Sequence, residues 1–428
     1  MNVAGSRFDY RPARGRLKTG IHRHWGVSAS KSMKTNRRQF IGRTIKTAAG
    51  LALAGSAVQY LALRGMFAEG KPAVAPAGPA PLPPRECMFY AANGKEVACE
   101  LCPHGCVVGD GGRGLCGVRE NRSGRYNTLV YDRVCALNVD PIEKKPFFHY
   151  LPGTEAVSIA TAGCNFTCKF CQNYDISQAK PEAVPHDVLS RADLVALALK
   201  RGAPTLAYTY SEPVIFYEMV RDSAKLGREK GVGSVMVTNG FINEKPMREL
   251  ANHLTAVKVD LKAFTEKYYA DVCGGRLQPV LDTLKVLRST GIHLEIVVLV
   301  VPTLNDGAEE FRKMSGWIVE NLGPDVPLHF IRFHPSYKMR NLPMTPVKTV
   351  ELAHDEAVKA GVRYCYVGNV PMHPFEHTYC HGCKTKLVER AGMRVLSNLV
   401  ADGRCPKCAA AIPGVWSQKQ ALAFKPKT

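Results

Sequence analysis

Residues 156–173 read AVSIATAGCNFTCKFCQN, an apolar, strand-like run that is followed at once by three cysteines. The cysteines, Cys164, Cys168 and Cys171, are spaced C-x3-C-x2-C. A structural zinc site closes with four ligands, and four cysteines likewise complete an ordinary iron–sulfur cluster. Three thiolates leave one metal position open, which is typical of a site that binds a ligand and acts on it.

Five further strand-like runs follow this one, and a helix-like segment separates each from the next. The six predicted strands are 156–163, 205–210, 234–240, 256–262, 293–301 and 328–334. The predicted helices are 187–201, 214–230, 245–253, 276–290, 307–321 and 347–360. Six strand–helix units predict an α/β fold with a parallel sheet and helices outside it.

Polar or glycine-containing motifs stand at the end of five of these strands. After the cysteines at the first strand, the motifs are YSEP (210–213), TNG (238–240), DLK (260–262) and RFHP (332–335). Parallel sheets present their functional residues at the carboxyl ends of the strands. We therefore expect these motifs to converge on one face around the cysteines.

The motifs together resemble the radical SAM enzymes, and within them the radical SAM member of the AmmeMemoRadiSam system, a relative of pyruvate formate-lyase activating enzyme. The resemblance extends from about Cys99 to Trp416. It rests on GCNFTCKFCQN (163–173), YTYSEPVIFYE (208–218), VTNGFI (237–242), VDLKAF (259–264), FHPSYKM (333–339), YVGNVP (366–371) and CPKCAAAIPGVW (405–416). It implies a partial parallel (β/α)6 barrel, with a cysteine-rich segment before it and a zinc-ribbon-like tail after it.

The resemblance also implies a reaction. Cys164, Cys168 and Cys171 would hold three irons of a [4Fe–4S] cluster, and S-adenosylmethionine (SAM) would chelate the fourth iron. One electron then cleaves SAM into methionine and a 5′-deoxyadenosyl radical, which takes a hydrogen atom from the substrate. The implied partners are SAM, a one-electron donor and an unidentified substrate, for which a protein is one candidate.

The cofactor-binding residues are implied in the same way. Glu212 stands where relatives carry Gly-Gly-Glu-Pro, a motif that meets the methionine amine, but Tyr210 and Ser211 replace the two glycines here. The expected set is Phe170, Glu212, Asn239, Gly240, Asp260, Lys262 and His334. For Asp260, Lys262 and His334 taken singly, a surface ion pair or a capped turn is the alternative.

Two more cysteine groups flank the predicted barrel. The first group consists of Cys99, Cys102, Cys106 and Cys116. It could bind either zinc or a second iron–sulfur cluster. Its spacing is not that of a two-cluster ferredoxin, which favours a structural metal. The second has the two C-x2-C pairs of a zinc ribbon around a hairpin; it consists of Cys380, Cys383, Cys405 and Cys408. We expect four single cysteines to be buried small hydrophobes: Cys87, Cys135, Cys273 and Cys365.

Composition divides the chain further. We expect a basic N-terminus with an export-type signal (1–69), a proline-rich linker (70–84), a cysteine-rich metal-binding segment (85–150), the barrel (151–372) and the tail (373–428). The formal charge is +20, and residues 1–64 hold 13 Lys and Arg against one acid, or +12; 20 minus 12 leaves +8 for the rest. This distribution, with no basic patch among aromatics, argues against a nucleic-acid partner.

The N-terminus favours export or membrane anchoring. Arg37 and Arg38 precede an uncharged run at 47–63, an order that resembles a twin-arginine signal. An ordinary amphipathic helix is the alternative, with a cytoplasmic location, and Met33 is an alternative start. Uncleaved, the run 47–63 would associate the protein with a membrane.

Two functional classes remain open at this stage. The first is a radical SAM enzyme, within which a glycyl-radical-enzyme activase is the runner-up. The second is a non-catalytic electron-transfer or binding protein that carries Fe–S and zinc. The open coordination position, with Glu212, Asp260 and His334 at strand ends, favours the enzyme.

Overall fold

The structure is a computed structural model that describes residues 84–427. The predicted signal, the uncharged run 47–63 and the linker up to residue 83 lie outside the described residues. Within 84–427, no helix has both the length and the apolarity needed to cross a bilayer.

Short antiparallel strands form the segment before the barrel. They are Arg85–Glu86 (β1), Tyr90–Asn93 (β2), Glu96–Cys99 (β3), Val107–Val108 (β4), Arg119–Arg122 (β5), Arg125–Thr128 (β6) and Arg133–Val134 (β7). Strands β1, β6 and β5 form one sheet, and β2, β3 and β4 form another. Arg119 and Glu218 attach this segment to the barrel through a fully buried ion pair with 2.7 Å between Nη2 and Oε1.

An eight-stranded sheet forms the centre of the described chain. Its strands are Ala136–Pro141 (β8), Glu155–Ala160 (β9), Thr205–Tyr208 (β11), Gly233–Thr238 (β12), Ala256–Asp260 (β13), His293–Val300 (β14), Leu328–Arg332 (β15) and Cys365–Gly368 (β16). The remaining short strand, Asp187–Val188 (β10), pairs with β7. The order across the sheet is β16-β15-β14-β13-β12-β11-β9-β8. All neighbours are parallel except β8, which runs antiparallel to β9.

Helices separate the parallel strands as the sequence predicts. The six main helices are Arg191–Arg201, Tyr217–Glu229, Glu244–Ala251, Leu277–Thr290, Ala308–Leu322 and Val347–Lys359. Shorter ones are Tyr174–Ser177, Glu266–Tyr268 and Gln418–Ala423, with single turns at Ile142–Lys144, Pro181–Ala183, Pro213–Phe216, Tyr269–Cys273 and Pro374–Glu376. The mostly parallel α/β fold and all six predicted strands are confirmed, and the sheet gains β8 and β16.

The C-terminal part contains a three-stranded antiparallel sheet. Its strands are Thr378–Tyr379 (β17), Lys386–Ala391 (β18) and Arg394–Asn398 (β19), and β18 and β19 form the predicted hairpin. Arg390 of β18 is buried against the barrel, where its Nη2 donates to the carbonyl of Phe148 at 2.8 Å. The hairpin is therefore attached to the barrel by a buried cation as well as by apolar side chains.

Candidate active site

The three predicted cluster ligands lie in the trio loop, residues 161–173, directly after β9. Backbone hydrogen bonds hold this loop to the segment after β13: Thr167 N–H donates to the Cys273 carbonyl at 2.8 Å, and Lys169 N–H to the Val272 carbonyl at 2.9 Å. The segment after β15 also contacts it, because Lys338 N–H donates to the Lys169 carbonyl at 2.9 Å. Loops from three strand ends thus fix the position of the cysteines.

The three thiols have different surroundings. Burial raises the pKa of Cys164 well above its usual value, and the Glu212 carboxylate raises it further. The pKa of Cys168 is lowered by a hydrogen bond with the Cys273 thiol and then by the charge of Lys262. Burial raises the pKa of Cys171, whose Sγ lies 3.2 Å from Ser177 Oγ.

Glu212 joins the ends of two strands. Its carboxylate accepts hydrogen bonds from Thr238 Oγ1 at 2.6 Å, Asn239 N–H at 2.8 Å and Val214 N–H at 3.1 Å. Burial raises the pKa of Glu212 to about 7, while these hydrogen bonds act in the opposite direction. The predicted site residue therefore also has a structural role at the ends of β11 and β12.

Tyr210 keeps a glycine-like backbone although it replaces a glycine of the family motif. Its φ is +68°, in the left-handed region that glycine adopts most easily. Its hydroxyl donates to Asp140 Oδ2 at 2.6 Å, and the Lys145 ammonium lies 4.8 Å from the ring centroid. The backbone conformation of the motif is thus retained, and the added ring interacts with a buried lysine and aspartate.

Asp260 and Lys262 form an ion pair beside the cysteines. Lys262 Nζ lies 2.8 Å from Asp260 Oδ2, and Lys258 binds the other carboxylate oxygen. Burial alone would raise the pKa of Asp260, but the two lysines outweigh it and hold the pKa below its usual range. Lys262 Nζ also lies 5.8 Å from the centroid of the buried Phe170 ring. The pair lines the site and is not an isolated surface pair.

The other predicted residues divide into a connected pair and a separate histidine. Asn239 Nδ2 donates to Asn165 Oδ1 at 2.8 Å, and Gly240 N–H donates to Thr238 Oγ1 at 3.0 Å. His334, after β15, is exposed and makes no hydrogen bond to another described residue. The structure therefore links Asn239 to the trio loop but gives His334 no such partner.

Sequence reasoning missed three residues of this region. Asn165 connects the trio loop to the end of β12, Lys258 pairs with Asp260, and the Cys273 thiol lowers the pKa of Cys168. The signal for Lys258 was present, since charges at 258, 260 and 262 alternate along one strand and must share a face. Cys273 is buried as expected, as are Cys87 and Cys365, whereas Cys135 is only half-buried, which corrects that expectation.

The comparisons with known proteins identify the family. A family model described as the Radical SAM superfamily matches residues 158–315. An uncharacterized protein of Methanocaldococcus jannaschii is 40% identical over 327 residues, which are 76% of this chain and 97% of that protein. The chain belongs to the radical SAM superfamily.

Two further matches are to an activating enzyme and to a protein whose structure contains S-adenosylmethionine. The pyruvate formate-lyase-activating enzyme of Clostridium pasteurianum is 24% identical to the radical SAM chain over 185 residues, which are 43% of this chain and 76% of that enzyme. The crystal structure of Streptococcus suis SuiB bound to S-adenosylmethionine aligns with 56% of this chain and 56% of its own, at 12% identity and a TM-score of 0.42.

Membership of the radical SAM superfamily makes the protein an enzyme and implies a [4Fe–4S] cluster and SAM. The trio loop fits this pair of cofactors. It offers three thiols on one short loop, and a cation, Lys262, lies beside Cys168. Three ligands suit a cluster whose fourth iron binds a small molecule, and cationic groups stabilise an anionic cluster.

The C-terminal cysteine quartet, Cys380, Cys383, Cys405 and Cys408, forms a compact group. Its sulfur atoms all lie within 4.8 Å of one another. Two of the Sγ–Sγ distances are 3.5 Å (Cys380 to Cys408) and 3.6 Å (Cys383 to Cys405). Tetrahedral zinc with Zn–S bonds of about 2.3 Å places thiolates about 3.8 Å apart. The quartet is therefore already arranged to hold a metal ion of that kind.

Proposed function

We propose that this radical SAM enzyme holds a [4Fe–4S] cluster on Cys164, Cys168 and Cys171 and cleaves SAM reductively to abstract a hydrogen atom from its substrate. The observation that carries the proposal is that one loop with three cysteines meets the ends of β11, β12 and β13, where Glu212, Asn239 and Asp260 lie. When bound, the cluster supplies the single electron that breaks the SAM sulfonium bond.

The chain's own residues would bind and orient SAM. Glu212 presents a carboxylate to the methionine amine, since a buried carboxylate suits a cationic amine. Phe170 presents an apolar ring to the adenine, and Asn239 and Gly240 shape the adjacent loop. Asp260, Lys262 and His334 would interact with the cofactor's carboxylate and ribose. These roles follow the family resemblance, and the placement of the first six around the trio loop supports them.

The substrate of the enzyme is unidentified, and two classes are supported by the sequence and its relatives. The motifs support membership of the AmmeMemoRadiSam system, and a protein substrate is the form we favour, because the matched activating enzyme is named for acting on pyruvate formate-lyase. That same match favours the second candidate, a glycyl-radical-enzyme activase. The activase candidate predicts a glycyl-radical EPR doublet when a partner enzyme is added, and its absence with pyruvate formate-lyase would count against that partner.

Product analysis tests the proposed function. Anaerobically reconstituted protein is incubated with SAM and dithionite, with and without cell extract depleted of small molecules. We expect methionine and 5′-deoxyadenosine, and more of both if the extract contains the substrate as a macromolecule. Absence of 5′-deoxyadenosine from protein that holds its iron would contradict the proposal.

For the C-terminal quartet we propose structural zinc. Zinc binding would supply folding free energy to the tail, because the unfolded chain has no preformed site for the ion. Replacing Cys383 or Cys408 by serine is expected to remove the zinc and to make the tail sensitive to protease. The absorbance of the cluster should persist, because the trio loop lies at the other edge of the sheet. Equal loss of iron and zinc would instead assign iron to these thiols.

For location we propose export by a twin-arginine-type route or anchoring through residues 47–63. The order of paired arginines and uncharged run supports this proposal. Fractionation of a C-terminally tagged protein at its native level tests it. Full recovery in the soluble cytoplasmic fraction, with residues 47–63 intact, would rule out both forms.

A further inference from the structure

The N-terminal cysteine quartet, Cys99, Cys102, Cys106 and Cys116, gathers four thiols from two loops. Cys99 ends β3, the next two lie in the turn before β4, and Cys116 precedes β5. The N–H of Cys99 donates to the carbonyl of Cys106 at 2.9 Å and closes the turn. Burial raises the pKa of Cys102, and the neighbouring Cys99 and Cys116 thiolates raise it further. The four thiols thus lie within electrostatic range of one another.

Two buried hydrogen-bond donors beside this quartet have no partner among residues 84–427. They are Arg119 Nε, on a side chain that is 1% exposed, and the hydroxyl of Tyr126, which is 0% exposed. A Cβ added to Gly114 would lie 2.6 Å from that hydroxyl and 3.7 Å from Cys106 Sγ, so hydroxyl and sulfur border the same space. Burial raises the pKa of Cys116, and the Arg119 guanidinium opposes this rise. Donors of this kind suit an anionic, sulfur-rich group.

The spacing of the sulfur atoms separates this quartet from the C-terminal one. In the described part of the chain, the C-terminal quartet is the only group in which three or more Cys, His, Asp or Glu ligand atoms lie within 4.8 Å of one another. No three of the N-terminal sulfurs therefore lie within 4.8 Å of one another, whereas tetrahedral zinc holds its thiolates roughly 3.8 Å apart. An iron–sulfur cluster places irons and inorganic sulfide between its thiolates and needs the wider spacing.

The N-terminal quartet also lies directly against the trio loop. His104, which lies between two of its cysteines, has its Nε2 2.7 Å from the Asn165 carbonyl oxygen. A Cβ on Gly163, whose φ is +96°, would lie 2.8 Å from the Cys116 carbonyl oxygen. The glycine before the first ligand of the trio therefore allows the two loops to touch.

Part of the quartet is exposed to solvent. Cys106 and Cys116 are partly exposed. Their neighbours Val107 and Leu115 are 69% and 73% exposed. The quartet is therefore partly accessible to another molecule and also contacts the trio loop.

We infer that the N-terminal quartet holds an iron–sulfur cluster, placed to relay single electrons from a low-potential donor protein to the trio. The inferred cluster replaces the structural metal that the cysteine spacing alone favours at this quartet. The role of the trio as the electron acceptor rests on the proposed function. In the relay, the reduced donor loses one electron, which passes through the quartet to the trio. No covalent bond changes and no proton is transferred.

Metal analysis of the full chain tests the inference. Anaerobically reconstituted wild-type protein is expected to hold about eight irons per chain. The Cys164/Cys168/Cys171→Ala variant should keep about four of them. After reduction with dithionite, this variant should give the EPR signal of the N-terminal cluster. The Cys102/Cys116→Ala variant should lose about half of the iron and that signal. Mutual broadening of the two EPR signals is expected only when both sites are loaded.

Two results would overturn the inference. If the trio variant contained no iron and two zinc ions per chain, the N-terminal quartet would be a zinc site. If it held no metal at the N-terminal quartet, the four cysteines there would be free thiols. Cys87→Ala is the matched control, because Cys87 is buried next to the quartet and is not a proposed ligand; a loss of iron there would overturn the ligand set. Formation of 5′-deoxyadenosine by the wild-type protein tests the proposed function separately.

Tyr126→Phe tests the site in protein that is otherwise intact. Loss of a hydroxyl hydrogen bond to a cluster sulfur lowers the reduction potential. We expect unchanged iron content and a lower midpoint potential for the signal that remains in the trio variant background. An unchanged potential would contradict a cluster bordered by this hydroxyl.

Discussion

Replacing Cys164, Cys168 and Cys171 together by alanine is expected to abolish formation of 5′-deoxyadenosine. All three lie on one loop, so the variant removes every proposed ligand of the SAM-binding cluster and leaves the strand ends in place. The expected loss is complete, because without the cluster no electron reaches the sulfonium of SAM. Anaerobic product analysis with excess dithionite measures it directly.

Cys365→Ala is the matched control for this variant. Cys365 is a buried cysteine at the start of β16, away from the carboxyl edge of the sheet. We expect this control to retain both its iron and its SAM cleavage. Continued SAM cleavage by the triple variant would show that the central assignment is wrong.

Glu212→Gln is expected to weaken SAM binding by about ten- to a hundredfold while the iron content stays unchanged. A hydrogen bond to a charged group contributes about 1.5–3 kcal/mol. The structure adds a second reason, since three donors converge on this carboxylate and the amide of glutamine would place an N–H group against one of them. Equilibrium dialysis of reconstituted protein with SAM measures the change.

The pH dependence separates a binding role of Glu212 from a structural one. Its pKa is raised to about 7, so the carboxylate is ionised above that pH and is protonated below it. SAM affinity should therefore fall as the pH drops through about 7. The acid limb of this profile should disappear in Glu212→Gln.

Glu143→Gln is the matched control for this pH profile. Burial raises the pKa of Glu143 to about 7 as well, but it lies in the turn after β8, at the other edge of the sheet. Its substitution should leave the acid limb intact. Persistence of that limb in Glu212→Gln would place Glu212 in a purely structural role.

Local sequence was sufficient for most of the barrel. Each predicted parallel strand lies within a few residues of an observed one, because apolar, β-branched runs between helical segments have few other ways to bury both faces. The two additional strands show the limit of this reasoning. Strand β16 has only four residues, and β8 is mostly exposed or half-buried and joins the sheet only by antiparallel pairing with β9.

The sequence by itself determined the chemistry available at the active site. The C-x3-C-x2-C spacing and its place after the first parallel strand depend only on chain order, and they indicated the superfamily that the comparisons show. The convergence of strand-end motifs followed as well, because parallel strands necessarily bring their carboxyl ends to one edge.

Only the tertiary structure decided what each of these residues contacts. The proximity of Cys273 to Cys168 and the donation of hydrogen bonds by Thr238 and Asn239 to Glu212 join segments that no spacing rule connects. The contact between the N-terminal quartet and the trio loop, with Gly163 at its centre, is of the same kind. Contacts across long separations in sequence depend on the packing of the whole core, so the pattern of any one segment does not contain them.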